Sequence, residues 1–145
     1  MAETKYGKYL VEVKRSQIRG NDGVPVFDGL MIHPDKLGYN MVMGFQFVKK
    51  PFKNNNPPHT HNFQEFLIFY GGNPEDPEDF GGVVEICMGE ELEKHVITRP
   101  TIINLPDGLI HCPLEITRVD KPIVMMEIML VPPGGGRRDP VVLKK

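Results

Sequence analysis

The chain has 145 residues, 40% of them hydrophobic and 25% charged, with a formal net charge of -2. This is the size of one domain with a single core, and its charge leaves no electrostatic footprint for nucleic acid. No apolar stretch approaches the ~20 residues that cross a membrane. The opening Met-Ala-Glu-Thr-Lys lacks an export-signal core, and two unpaired cysteines, Cys87 and Cys112, suit the cytoplasm.

Fifteen glycines and fourteen prolines cut the chain into short pieces, none with helical periodicity. Between the cuts the pattern is that of strands, predicted over 8–14, 24–32, 40–49, 64–70, 82–88, 92–98, 101–105 and 122–131. Strands of this number and length, separated by turn chemistry, predict an all-β antiparallel sandwich or barrel. One domain is expected over 1–131, with N-terminal strands in 1–50 and the functional core in 51–131. The remainder, 132–145, carries Gly134-Gly135-Gly136-Arg137-Arg138 and is expected to be a flexible tail.

On strand 40–49, Met41, Met43, Phe45 and Phe47 share one face, read as apolar lining of the barrel, with Gln46 opposite. On the last strand Met125 and Met129 share a face with Glu127. Glu127 is the candidate catalytic carboxylate, a general base facing a cavity, against the plainer reading of a charge paired at an edge. The acidic loop 73–79 is a solvated turn or a lid over that cavity. Arg99, Arg118 and Lys121 are the cations considered for an anionic substrate.

Two separated runs carry the chemistry: Pro58-His59-Thr60-His61-Asn62-Phe63-Gln64-Glu65 and Pro106-Asp107-Gly108-Leu109-Ile110-His111. Side chains alternate along an extended chain, so His59, His61 and Glu65 share a face, continued by Leu67 and Phe69. Phe66, Ile68 and Tyr70 make the other face equally apolar, and another sheet or a second subunit is expected to cover it. Pro57 and Pro58 hold the approach extended. Pro106-Asp107-Gly108 is a turn that delivers His111 from another strand. Three imidazoles and one carboxylate form an N3O set that suits a divalent transition metal (Fe, Mn, Ni, Co, Cu or Zn) and leaves positions for water or substrate. His33 and His95 read as surface residues, and Cys112 as an inert buried thiol.

In these runs the chain resembles the cupin superfamily, whose first motif is Gly, five residues, His-x-His, three or four residues, Glu, six residues, Gly. His59, His61, Glu65 and Gly72 fit it. The second motif is Gly, five residues, Pro-x-Gly, two residues, His, three residues, Asn, and Pro106, Gly108 and His111 fit it. Lys53, Pro100 and Glu115 depart from the pattern at positions other than the ligands. The resemblance implies an antiparallel double-stranded β-helix, a jelly-roll barrel, with His59, His61, Glu65 and His111 as a three-His, one-Glu metal set. It implies either oxygen chemistry or Lewis-acid isomerase, lyase or decarboxylase chemistry on a small oxygen-chelating molecule. The alternative is a non-catalytic metal- or ligand-binding barrel. A homodimer is expected, with no nucleic-acid or membrane partner.

Overall fold

The computed structural model describes residues 4–20, 22–37 and 39–143, and its strands account for most of the architecture. In chain order they are β1 Arg15–Arg19, β2 Pro25–Ile32, β3 Met41–Val48, β4 Phe52–Lys53, β5 His59–His61 and β6 Gln64–Gly71. There follow β7 Gly82–Met88, β8 Glu93–Ile97, β9 Thr101–Leu105, β10 His111–Val119, β11 Ile123–Leu130 and β12 Arg138–Pro140. A 3-10 turn at Gly7–Tyr9 and a single turn α1, Pro34–Leu37, are the helical pieces among the described residues. No helix there is long and apolar enough to cross a membrane.

All pairings are antiparallel. One sheet runs β1-β2-β3-β11-β6-β9. The other runs β12-β5-β10-β7-β8, with β4 beside β10. The core lies between them, Val48, Phe69, Leu105 and Ile123 from the first sheet meeting Val84, Ile86 and Ile116 from the second. Alternation decides which residues enter it: β6 buries Glu65, Leu67, Phe69 and Gly71 while the intervening residues are half-buried. This is the expected all-β jelly-roll architecture.

Four sequence expectations are corrected. Residues 8–14 form no strand; the first is β1, whose register on β2 is anchored by Arg15 donating to Asp28 Oδ1 at 2.6 Å. The strand expected to carry His111, given no extent from sequence, is β10, and it runs through Cys112-Pro113, where its pairing with β7 shifts register. Proline cannot donate to a ladder, so it sits at the irregularity. The third correction is the orientation of β3: Val42, Gly44 and Gln46 pair with Met129, Glu127 and Met125, the inward side of β11. Met41, Met43, Phe45 and Phe47 therefore face outward and line nothing, whereas Met125 and Met129 do line the interior. Finally, the tail expected to be flexible is structured in part, since Arg138, Asp139 and Pro140 pair with His61, Thr60 and His59.

Candidate metal centre

β5 and β10 are neighbours, and their register places His111 directly opposite His59. Cross-strand partners bring their side chains within about 5 Å on one face, and His61 follows His59 on that same face. The ring centroids are 4.4 Å apart for His59 and His111, 4.8 Å for His61 and His111, and 4.9 Å for His59 and His61. One ring nitrogen from each lies within 4.8 Å of the others, and all three residues are buried. The turn that delivers His111 forms as expected: Gly108 has φ +78°, a value that favours glycine. Its N–H donates to the His61 carbonyl at 3.0 Å, tying the two motifs together.

Glu65 arrives from the opposite sheet. The chain crosses between sheets at Asn62 and Phe63, so His59 and His61 look into the interior from one side and Glu65 from the other. Glu65 Oε2 lies 3.1 Å from His61 Nδ1 and 3.6 Å from His111 Nε2. The approach to His61 lacks hydrogen-bond alignment, and both Glu65 Oε2 and His61 Nδ1 are buried without a hydrogen-bond partner. Orphaned buried polar atoms are costly, and a cation between them would satisfy both.

The outer nitrogens orient the rings. His59 Nδ1 is 2.8 Å from the Pro57 carbonyl and His111 Nδ1 is 3.0 Å from that of Leu109. A carbonyl oxygen only accepts, so each Nδ1 carries the proton and each Nε2 keeps its lone pair, the tautomer a metal ligand needs. Burial above all lowers the His59 imidazole to about 4, and burial also lowers His111. Both are therefore neutral and able to ligate at neutral pH. Burial works against ionisation of Glu65, but the neighbouring His61, Glu127 and His111 outweigh it and hold its carboxyl below the usual range. The three imidazoles could hold a metal ion.

The site opens into a cavity of about 520 Å³ with an apolar wall that includes Leu67, Leu114, Met125 and Met129. Glu127 lines it too. Burial, then the Glu65 charge and a hydrogen bond to Glu65, raise Glu127 to about 7. Cys112 also lines the cavity, its thiol pushed up to about 11 mainly by burial, which makes it a poor nucleophile.

Several residues considered from sequence stand apart. His33 and His95 are outside the cluster. No residue of the acidic loop lines the cavity, and its Asp79 pairs with Lys121, so it is not a lid there. Arg99, Arg118 and Lys121 are absent from the cavity wall. Two residues of the site were missed. Phe63 stacks on His61 at 4.4 Å and 19° and fixes its ring; its parity with His61 was the available signal. Arg138 lines the cavity from β12, and its glycine-rich surroundings hid it.

No protein-family model and no curated protein matches the chain. Solved structures do resemble it in fold. Hazelnut (Corylus avellana) vicilin is 12% identical over 90% of this chain and 36% of that one, with a TM-score of 0.52. Bacillus subtilis oxalate decarboxylase is 10% identical over 87% and 30%, at 0.51. A salicylate 1,2-dioxygenase mutant from Pseudoaminobacter salicylatoxidans is 14% identical over 71% and 26%, at 0.50. The chain spans about a third of the length of these proteins or less.

Proposed function

We propose that this chain, which has the cupin fold, is a metal-dependent enzyme acting on a small organic molecule that chelates through oxygen. The observation that carries this reading is the convergence of three buried imidazoles from β5 and β10 at the wall of a cavity, with the unpartnered Glu65 Oε2 3.1 Å from His61 and 3.6 Å from His111. In this reading His59, His61, Glu65 and His111 hold one divalent transition metal. Such an ion supplies Lewis-acid polarisation of a bound oxygen or, if redox-active, oxygen chemistry. The oxalate decarboxylase and the dioxygenase of similar fold are proteins of these two kinds by name.

The chain's own residues have separable roles. The carbonyls of Pro57 and Leu109 hold the His59 and His111 rings in the ligating tautomer, and Phe63 holds His61 by stacking. The apolar wall excludes water around the bound molecule. Glu127, raised to about 7, takes or returns a proton at its carboxyl oxygen as general acid-base, a task suited to a group that titrates near the working pH.

The protein works in this reading as a cytoplasmic homodimer, its two free thiols suiting a reducing compartment. The β1-β2-β3-β11-β6-β9 sheet turns outward an apolar face that includes Leu30, Phe47, Ile102 and Leu130, all exposed, alongside half-buried Phe66 and Ile68. The test of the centre is elemental analysis of protein purified without added metal. About one divalent transition metal per chain is expected, with most of it lost in His59→Ala and His111→Ala. Unchanged metal content in these variants would refute the assignment.

A further inference from the structure

Among the described residues, the cavity wall carries one arginine whose positive charge has no counterpart. Arg138 Nη2 lies 3.0 Å from His59 Nδ1. That nitrogen, however, donates its proton to the Pro57 carbonyl 2.8 Å away. A ring N–H cannot also accept from a guanidinium, which has five donors and no acceptor. No carboxylate among the described residues forms an ion pair with Arg138, whereas the adjacent Arg137 is paired with Asp139 at 2.7 Å. Arg138 therefore lines the cavity as a solvent-exposed cation with no carboxylate partner among the described residues.

Its placement is set by backbone. β12 pairs Arg138 with His61, and Asn62 fixes the preceding residue twice, accepting from the Arg137 N–H at 2.5 Å and donating to its carbonyl at 3.2 Å. Gly136 packs so closely on Phe63 that a β-carbon there would come within 2.7 Å of the ring. The guanidinium is thus carried by an anchored strand beside a metal ligand.

The charges at the site indicate what it receives. A divalent ion held by three neutral imidazoles and one carboxylate leaves a net positive centre, and Arg138 adds a second positive charge at its edge. A neutral phenol or enol would leave the Arg138 charge unpaired, while a carboxylate neutralises it through paired N–H donors of matching geometry. We propose that Arg138 anchors a carboxylate of the ligand, which makes the substrate class a small organic acid chelating through its carboxylate and a neighbouring oxygen. This inference rests on the metal-centre reading above.

The test uses the full chain loaded with cobalt(II), whose visible absorption reports ligation, titrated with glycolate and with its neutral analogue glycolamide. The wild type should bind glycolate more tightly than glycolamide. Arg138→Met should weaken glycolate binding about ten-fold or more, as expected for loss of charge-assisted hydrogen bonds. It should leave glycolamide affinity and cobalt stoichiometry unchanged, and Arg138→Lys should recover part of the loss. Cobalt bound with glycolate affinity unaltered in Arg138→Met overturns this inference alone. Loss of cobalt in both Arg138 variants also overturns it, because Arg138 would then act on His59 and not on the ligand. A wild type that binds no cobalt overturns the metal-centre reading and this inference with it.

Discussion

Replacing Glu127 by Gln in metal-stripped protein isolates the two carboxylates at the centre. Burial, followed by the charge of Glu65 and the hydrogen bond to it, raises Glu127 from its ordinary 4.5 to about 7. A group that holds its proton more tightly folded than unfolded contributes stability at low pH, and the contribution is lost as pH rises from 4.5 through 7. At about 1.4 kcal/mol per tenfold change, the loss by pH 7.5 is on the order of 3 kcal/mol. Gln keeps the shape and a donor for Glu65 without the charge. The variant should therefore be more stable than its parent at pH 7.5 by up to ~3 kcal/mol, roughly 6–12 °C in Tm for a domain of this length. The advantage should vanish near pH 4.5. His59 acts in the opposite sense: burial chiefly lowers it from 6.5 to about 4, so the unfolded chain binds a proton that the folded chain refuses. Stability then falls as pH drops from 6.5 towards 4. In the parent these slopes oppose each other. In Glu127→Gln the His59 slope stands uncovered, with His111 shifted in the same direction. Urea denaturation from pH 4.5 to 7.5 reads both effects, and a variant less stable than the parent at pH 7.5 would refute this reasoning.

Three other outcomes are expected. The loss of metal below about pH 6 anticipated for ordinary imidazoles should move lower, because the folded chain already keeps His59 and His111 unprotonated; dialysis at pH 5.5 should leave the metal in place, and complete release there would contradict it. Iodoacetamide at pH 7.5 should alkylate half-buried Cys87 well before Cys112, whose thiol is pushed up to about 11 chiefly by burial; equal labelling by mass spectrometry would count against an inert Cys112. Sedimentation at micromolar concentration should give a dimer, and Phe47→Glu or Ile102→Glu on the outer sheet face should shift it to monomer; a wild-type mass near 16 kDa would overturn the dimer.

The ligand runs were legible because chemistry and period coincide in them. His59, His61 and Glu65 share parity, and parity alone brought them to one interior, although β5 and β6 belong to different sheets. Each half of the segment is extended, and the crossover at Asn62 and Phe63 preserves the inward phase. Pro106-Asp107-Gly108 was legible for a local reason, a turn whose Gly108 takes a positive φ. The strand β10 that carries His111 was not, since Cys112-Pro113 resembles a break, and only pairing with β7 holds it extended across the irregularity.

The pattern on β3 shows the limit of alternation more sharply. Period two says which residues share a face and is silent on which side that face lies. Met41, Met43, Phe45 and Phe47 look more apolar than Val42, Gly44 and Gln46, yet pairing with Met125, Glu127 and Met129 turns the second set inward. A sheet that is apolar outside as well as inside removes the contrast on which the inference depends, and that same outer face is the one assigned to a second copy. Arg138 fails for a different reason. A three-residue strand after a glycine run has no period to detect, and its pairing with His59, Thr60 and His61 joins positions too far apart in the chain for local chemistry to announce. The shared face of His59, His61 and Glu65 can therefore be read from spacing, while the place of Arg138 depends on long-range register, which only the folded chain supplies.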